Sequence, residues 1–134
     1  MIAADLKQIE ESLNITLPEY YKKVVLNYPF LKKITELLDD PIEIIRLNKL
    51  YRENGLKKTE WPENLYIFGS RVLITKTGED DIYFLNSSDP EENVYIISKG
   101  KPFQPDKLNK YKQFGGMKFH IDVTNAVRDV LKKE

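Results

Sequence analysis

The sequence predicts an α+β fold in which N-terminal helices and a C-terminal helix pack on one face of an antiparallel sheet of at least four strands. Apolar residues recur with the helical period before Trp61, and short runs rich in Ile, Val, Tyr and Phe, separated by turn residues, follow it. The order of helices, then strands, then a helix is typical of segregated α+β domains. The length of 134 residues fits one domain, residues 1–134.

Two helices are predicted at the N-terminal end. The first ends near Asn14, and its apolar face is formed by Ile2, Leu6, Ile9 and Leu13. The second begins at residues 16–19, because proline is favoured in a first helical turn, where its missing N–H would have no partner. Pro29 ends it, since the residue before a proline is displaced from the helical region. Its buried stripe is Leu17, Tyr21, Val24, Val25 and Tyr28.

A third helix is predicted over residues 41–54. Asp40 can cap it, a proline suits its first position, and Glu43 can complete a capping box. Gly55 follows its last residue, as is common at the C-termini of helices. Residues 30–38, which precede this helix, fit either a short strand or a helical turn.

Four strands are predicted after Trp61-Pro62. The runs are residues 65–68, 71–76, 81–86 and 93–99. Turn residues bound each run, the first pair being Gly69-Ser70, so consecutive antiparallel pairing is expected. Residues 101–116 are predicted to form a loop or short helix, residues 117–122 one more strand or a lead-in, and residues 123–133 the last helix.

The composition excludes several classes of protein. With 21 basic and 21 acidic side chains the formal net charge is zero, so nothing global draws the chain to nucleic acid or to anionic membranes. The absence of cysteine excludes disulfides and thiolate metal sites and suits a reducing compartment. The opening MIAADLKQIEE lacks the pattern of a signal peptide, and no apolar run approaches the roughly 18–20 residues of a membrane span. We therefore expect a soluble, cytoplasmic protein.

Residue types that carry catalysis are sparse. His120 is the only histidine, and its strand-like surroundings favour a structural or surface role. Glu79, Asp80 and Asp81 could serve acid–base or cation chemistry, but they follow turn residues, so solvated charges at a hairpin tip are the favoured interpretation. Gly115-Gly116 lacks the spacing of a phosphate-binding loop. We expect no enzyme activity, no cofactor and no metal site.

Charge is distributed in two opposite blocks. Residues 79–92 contain no lysine or arginine and six acids, namely Glu79, Asp80, Asp81, Asp89, Glu91 and Glu92. Residues 99–118 contain six lysines and one acid, Asp106. The blocks fit solvated loops, mutual attraction across the fold, or contact of one block with a charged partner. Aromatic residues among the lysines resemble single-stranded nucleic-acid sites, but the neutral chain and the lack of an RNA-binding motif disfavour nucleic acid as the partner.

Two stretches together resemble the SUKH superfamily. Residues 9–25 contain IEESL and then LPEYYKKVV, similar to the first helix of that family and to the LP-x-x-Y start of its second. IFG at residues 67–69, DIYFL at 81–85 and NVY at 93–95 are similar to its sheet. The helix at residues 41–54 and the final helix also fall where the family has helices, so the resemblance spans nearly the whole chain.

The resemblance implies a protein that acts by binding. Members of the superfamily are mostly bacterial immunity proteins that neutralise toxins, often nucleases, and others, including fungal cell-wall regulators, are interaction modules. It therefore implies a cognate protein toxin as partner and no catalytic residues. From charge and turn placement we expect contact through the acidic block and exposed tyrosines of the adjoining strands. The expected contact residues are Glu79, Asp80, Asp81, Tyr83, Asp89, Glu91, Glu92 and Tyr95. An interaction module of a regulatory assembly, and a small enzyme or nucleic-acid binder, stay open as alternatives.

Overall fold

The computed structural model describes residues 1–27, 37–55, 60–72, 80–89, 91–98, 103–113, 116–118 and 126. Its helices are α1 (Ala3–Leu13), α2 (Glu19–Asn27) and α3 (Pro41–Asn54). Its strands are β1 (Leu65–Val72), β2 (Asp80–Asn86) and β3 (Tyr95–Ser98), and a 3-10 helix, Pro105–Tyr111, follows them. The described elements confirm the α+β class.

The first two helices have the boundaries that their local chemistry predicts. Asn14 adopts the left-handed conformation, with φ 54° and ψ 49°, and ends α1. The carbonyl of Pro18 accepts hydrogen bonds from the N–H groups of Tyr21 and Lys22, at 3.2 and 3.1 Å, which opens α2. The buried apolar residues of the two helices and of the connection between them, which includes Leu17, are Leu6, Ile9, Leu13, Leu17, Tyr20, Tyr21, Val24 and Val25. Tyr28 and Pro29 lie outside the described residues.

The predicted start and end of α3 are confirmed. The Asp40 carboxylate accepts a hydrogen bond from the N–H of Ile42 at 3.0 Å, and proline occupies the first helical position. Gly55 has φ 70° and donates its N–H to the Tyr51 carbonyl at 2.7 Å, which closes the last turn. Glu43 forms an ion pair with Arg46, one turn along the helix.

The described sheet has three antiparallel strands in the order β1-β2-β3, so the prediction of at least four is wrong for this part of the chain. The error lies at Gly69-Ser70, which we predicted to be a turn between two strands. Both residues instead lie within β1, where the pairing with β2 shifts between Ile67 and Gly69. A glycine accommodates such a bulge without ending the strand, so one long strand replaces two short ones.

The outer edge of β1 is covered by side-chain and isolated backbone contacts. The Asn48 side chain on α3 accepts a hydrogen bond from the N–H of Ile67 at 2.8 Å and donates one to its carbonyl at 2.9 Å. Leu37 forms an isolated antiparallel bridge with Gly69, and the N–H of Leu38 donates to the Phe68 carbonyl at 3.0 Å. Backbone groups that would be exposed at a sheet edge are thereby paired.

Both faces of the sheet are buried, which corrects the expectation that helices pack on one face only. Tyr66 and Phe68 of β1 face a core shared with α1 and α2. Leu65 and Ile67, which alternate with them, face a second core built around Trp61. The Trp61 ring packs against Tyr51, Phe84 and Phe103, with ring centroids 5.2, 5.1 and 4.9 Å away.

The segment after β3 is described in part. The 3-10 helix confirms the prediction of a loop or short helix over residues 101–116. Residues 116–118 are helical, so of the two alternatives predicted from residue 117 the strand is excluded where it is described, and the lead-in stays open. Of the predicted helix over residues 123–133, only Ala126 is described, and it is helical. Residues 28–36 lie outside the described part, as does His120.

Candidate partner-binding site

The structure divides the predicted acidic block between the two ends of β2. Asp80 and Asp81 begin the strand, whereas Asp89, Glu91 and Glu92 follow its last residue. A strand of seven residues is about 20 Å long, so the two groups of acids cannot form one continuous patch.

No exposed acidic surface is seen at the start of β2 among the residues that the structure describes. Glu79 lies outside the described residues, and Asp80 is placed only by its backbone pairing with Val72. Asp81 is 4% exposed and lies between Arg71 and Ser98 in the strand register. Its carboxylate therefore belongs to the interior of the sheet region.

The exposure that we expected of Tyr83 and Tyr95 is wrong. Tyr83 is 3% exposed and packs near Phe68, with ring centroids 6.5 Å apart. Tyr95 is 4% exposed and stacks on Phe84 at 5.4 Å. Side chains alternate between the two faces of a strand, and both faces of this sheet are buried. A tyrosine on either face of the strand therefore lies in one of the two cores and not at the surface.

The acidic loop, residues 87–89 and 91–94 between β2 and β3, is the exposed part of the predicted site. Its first residues are bound to the chain that leads into β1. Ser87 donates both its N–H and its hydroxyl to the Asn64 carbonyl, at 2.8 and 2.9 Å. The side-chain oxygen of Asn86 accepts from the Asn64 amide at 2.8 Å and from the N–H of Ser88 at 3.0 Å.

The acidic residues of this loop are also fixed from within. The Asp89 carboxylate accepts hydrogen bonds from the N–H of Glu91, at 2.9 Å, and from the Asn93 amide, at 3.4 Å. The Asn93 amide also donates to the Glu91 carboxylate at 3.0 Å. Farther along, the carbonyl of Glu92 accepts from the N–H of Met117 at 3.0 Å. The loop is thus anchored at both ends.

Gly116 explains why the hydrogen bond between Met117 and Glu92 can form. It has φ 51°, a conformation that L side chains rarely adopt, and a β-carbon there would collide with the backbone oxygen of Glu92. In the sequence, Gly115-Gly116 lacked the spacing of a phosphate-binding loop. Its described member instead permits a close approach between two backbone segments.

The connection between α1 and α2 lies opposite the acidic loop. The Glu10 carboxylate accepts a hydrogen bond from the N–H of Leu17 at 2.8 Å and forms an ion pair with Lys22 at 3.4 Å. Lys22 also pairs with Glu19 at 3.7 Å. These contacts fix the connection and the start of α2 relative to α1.

A cleft of about 830 Å³ lies between this connection and the acidic loop, which form its two walls. Residues 16–20 and Lys23 line one side, and residues 87–89 and Glu92 line the other. A smaller depression of about 350 Å³ adjoins it and shares Thr16, Ser87 and Ser88. The volume of the larger cleft lies within the range of known binding sites.

The charge in the cleft is mainly negative. Glu19, Asp89 and Glu92 supply three carboxylates, and Lys23 supplies one ammonium. The first turn of α2 adds about half a positive charge through the helix dipole. Because Glu19 is already paired with Lys22, the remaining excess of roughly half a negative charge comes from Asp89 and Glu92, and the acidic-loop side of the cleft favours a cationic group.

Tyr20 also lines this cleft and is 9% exposed. Its hydroxyl is buried and has no hydrogen-bond partner among the described residues. Burial first, and then the charge of Asp89 together with Tyr95 and Glu92, raises the pKa of Tyr20 to about 12. The hydroxyl is therefore neutral at physiological pH and retains an unused donor and acceptor.

A family model decides the relationship of the chain to known proteins. The model of the SMI1 / KNR4 family (SUKH-1) matches residues 3–116. The chain belongs to this family. The match confirms the resemblance to the SUKH superfamily and includes α1 to β3 and both walls of the cleft. No curated protein and no solved structure matches the chain significantly. The SUKH family covers toxin-immunity and related regulatory proteins and is generally non-enzymatic.

Sequence reasoning missed Tyr20 as a site residue of this SUKH-1 chain. The apolar stripe of α2 includes Tyr21, Val24 and Val25, and Tyr20 lies beside that stripe because neighbouring helical residues point about 100° apart. The sequence did show a large aromatic residue next to the apolar stripe of a helix. That residue could be recognised as part of a site only once the acidic loop, which is distant in sequence, was known to lie opposite it.

The lysine-rich segment offers few rings to nucleic acid in the described part of the chain. Phe103 is buried against Trp61, and Tyr111 packs on Phe103 with ring centroids 5.5 Å apart. The Phe103 ring belongs to the core and is not available to stack on bases, and Tyr111 is half-buried against it. Phe114 and Phe119 lie outside the described residues.

Two further observations concern metals and membranes. Within the described ranges, no three side chains of His, Cys, Asp or Glu are grouped as they would be to hold a metal ion. No helix in those same ranges combines the length and the apolar character needed to cross a membrane.

Proposed function

We propose that this SUKH-1 protein is an immunity protein that binds and neutralises a cognate bacterial toxin by direct contact in the cytoplasm. Membership of the SMI1 / KNR4 family over residues 3–116 is the observation that carries the proposal. A binding mechanism needs no catalytic group, and the cleft beside Tyr20 offers a concave surface with charge and an unused hydroxyl.

The acidic loop and the cleft are the proposed contact surface. A nuclease toxin binds phosphate through a basic surface, so negative charge on an inhibitor of that surface would favour association. Glu91 and Glu92 are exposed, and Asp89 is half-buried beside them. Their fields would steer a basic toxin towards the cleft and raise the rate of association.

The anchored state of the acidic loop supports tight binding. A loop that must become ordered on binding loses conformational freedom, and this loss weakens the complex. Here the hydrogen bonds made by Asn64, Asp89 and Met117 hold both ends of the loop in the free protein. Glu79 and Asp80, at the other end of β2, remain a second proposed contact of the same toxin.

The test is protection by stoichiometric binding. The toxin encoded beside this gene is expressed in cells with increasing amounts of the protein, and its purified activity is titrated with the protein in vitro. We expect inhibition to be complete near a fixed molar ratio, as a stable complex requires. Protection at far below one protein per toxin would indicate turnover and contradict the binding mechanism. Binding of another partner without protection would instead identify a general interaction module.

A further inference from the structure

The unused hydroxyl of Tyr20 is the feature that carries a further inference. A buried polar group without a partner is costly, and the large majority of such groups in folded proteins are satisfied. Tyr20 is 9% exposed, its hydroxyl has no partner among the described residues, and its side chain lines the acidic cleft. The free protein therefore retains hydrogen-bonding capacity that a bound group could use.

We propose that this cleft receives an arginine side chain of the partner toxin, with its guanidinium between the Tyr20 hydroxyl and the carboxylates of Asp89 and Glu92. The inference rests on the proposed function and names the group on the toxin that is recognised. The three residues come from both walls of the cleft, which are fixed before binding.

The chemistry of the cleft selects a guanidinium over other groups. A carboxylate or phosphate would be repelled by Asp89 and Glu92. A neutral amide would add no positive charge to a cleft in which Asp89 and Glu92 outnumber the ammonium of Lys23. Arginine has five N–H donors in a planar fork and loses hydration more readily than lysine, so it can donate to a hydroxyl and two carboxylates together.

Entry of the guanidinium requires a small side-chain adjustment. The Tyr20 hydroxyl is shielded from water in the free protein. Ser88, Glu92 and Lys23 at the rim of the cleft are exposed, and changes of side-chain rotamer are common at interfaces whose backbone moves little. The anchored backbone of the acidic loop is therefore compatible with opening by rotation of side chains alone.

Two tyrosine variants separate a binding role from a structural one. Tyr20→Phe removes a hydroxyl that has no described partner, so we expect a thermal midpoint equal to or above that of the wild type and toxin binding about ten- to a hundred-fold weaker. The matched control is Tyr111→Phe, whose hydroxyl accepts the N–H of Gln104 at 2.7 Å. We expect that control to lower the midpoint and to leave toxin binding unchanged.

A small probe tests the cleft without the toxin. N-acetyl-arginine amide is titrated into ¹⁵N-labelled protein, with the isosteric but neutral N-acetyl-citrulline amide as control at equal ionic strength. We expect saturable shifts of the amide resonances of Tyr20, Ser88 and Glu92 with the arginine probe only, and their loss in the Glu92→Gln variant. Equal responses to both probes up to their solubility limit would overturn the proposal, as would full arginine binding by Tyr20→Phe.

The outcomes distinguish this inference from the proposed function. Protection by the wild type that is unchanged in Tyr20→Phe and Glu92→Gln would overturn the arginine site and leave the immunity function standing. Selective arginine binding by a protein that gives no protection would contradict the immunity function and leave the site standing, with an arginine of another partner as its occupant.

Discussion

The hydroxyl groups of Tyr21 and Tyr66 lie 2.7 Å apart in the core and join α2 to β1. Their rings meet edge to face, with centroids 5.1 Å apart. Burial raises the pKa of both phenols, so both are neutral, and each provides the hydrogen-bond partner of the other. This pair links the helix that forms one wall of the cleft to the strand that forms an edge of the sheet.

The first prediction concerns this hydroxyl pair. Tyr21→Phe or Tyr66→Phe leaves the other hydroxyl buried without its partner, so each should lower the free energy of unfolding by about 1–3 kcal/mol. The double variant removes both polar groups and should cost less than the sum of the single variants. Urea unfolding of the four proteins measures this. Strict additivity would show that the hydrogen bond contributes no coupling energy.

The second prediction is a pH dependence. The pKa of Tyr20 is raised from 10.0 to about 12, so the folded state holds the phenol proton more tightly than the unfolded state does. The resulting stabilisation is fully present below pH 10 and is lost as the pH rises from 10 through about 12. We expect Tyr20→Phe to lose less stability than the wild type over that window in urea unfolding. Parallel losses in the two proteins would contradict the raised pKa.

The third prediction concerns the edge of β1. Asn48 is buried and is bonded to the N–H and carbonyl of Ile67 and to the carbonyl of Ile44. Asn48→Ala leaves the N–H and carbonyl of Ile67 without these partners, so it should cost about 2–4 kcal/mol of unfolding free energy. The control is Asn54→Ala, at the exposed end of the same helix, which should change stability by less than about 0.5 kcal/mol. Similar losses in both variants would contradict a specific edge contact.

The fourth prediction concerns the anchor of the acidic loop. Gly116→Ala places a β-carbon against the backbone oxygen of Glu92 and forces a left-handed conformation on alanine, which alone costs about 1–2 kcal/mol. We expect faster hydrogen exchange at the amide of Met117, whose N–H donates to the Glu92 carbonyl, together with lower stability. Lys118→Ala, at a nearby exposed position, is the control and should change neither. Unchanged exchange at Met117 in Gly116→Ala would show that the close approach of Gly116 to Glu92 does not hold the loop.

Local chemistry predicted the helices because their boundaries depend on neighbouring residues. Asp40 caps α3 and Asn14 ends α1, and each signal lies within a turn of the boundary that it sets. The strand count failed at Gly69 because a glycine permits either a turn or a bulge, and pairing with β2 decides between them. The apolar run Leu65–Phe68, which continues without polar alternation, did contain the signal of burial on both faces.

The candidate site was predicted only in part because it combines distant segments. The charge pattern selected Asp89, Glu91 and Glu92 because composition is visible in the sequence, and the structure places these three residues in the loop between β2 and β3. The cleft requires Tyr20 to lie opposite them, about 70 residues away in the chain. That juxtaposition depends on the packing of α2 against the sheet, and no local pattern encodes it. Whether the acids at either end of β2 meet the toxin remains a prediction.

The last prediction asks which end of β2 faces the toxin. Glu91→Lys with Glu92→Lys reverses charge on the acidic loop, and Glu79→Lys with Asp80→Lys does so at the other end. Asp39→Lys with Asp106→Lys, at exposed positions on other parts of the surface, is a control with the same change in net charge. If the acidic loop steers a basic toxin, the first pair alone should slow association about ten-fold at low salt, and the difference should shrink as salt screens the charges. Stopped-flow association at two salt concentrations measures this.

An effect confined to the second pair would move the contact to the start of β2, and equal effects of all three pairs would show that only net charge matters. No effect of any pair, with unchanged salt dependence, would indicate that the toxin is not basic or binds elsewhere, with the lysine-rich residues 99–118 as the next surface to test.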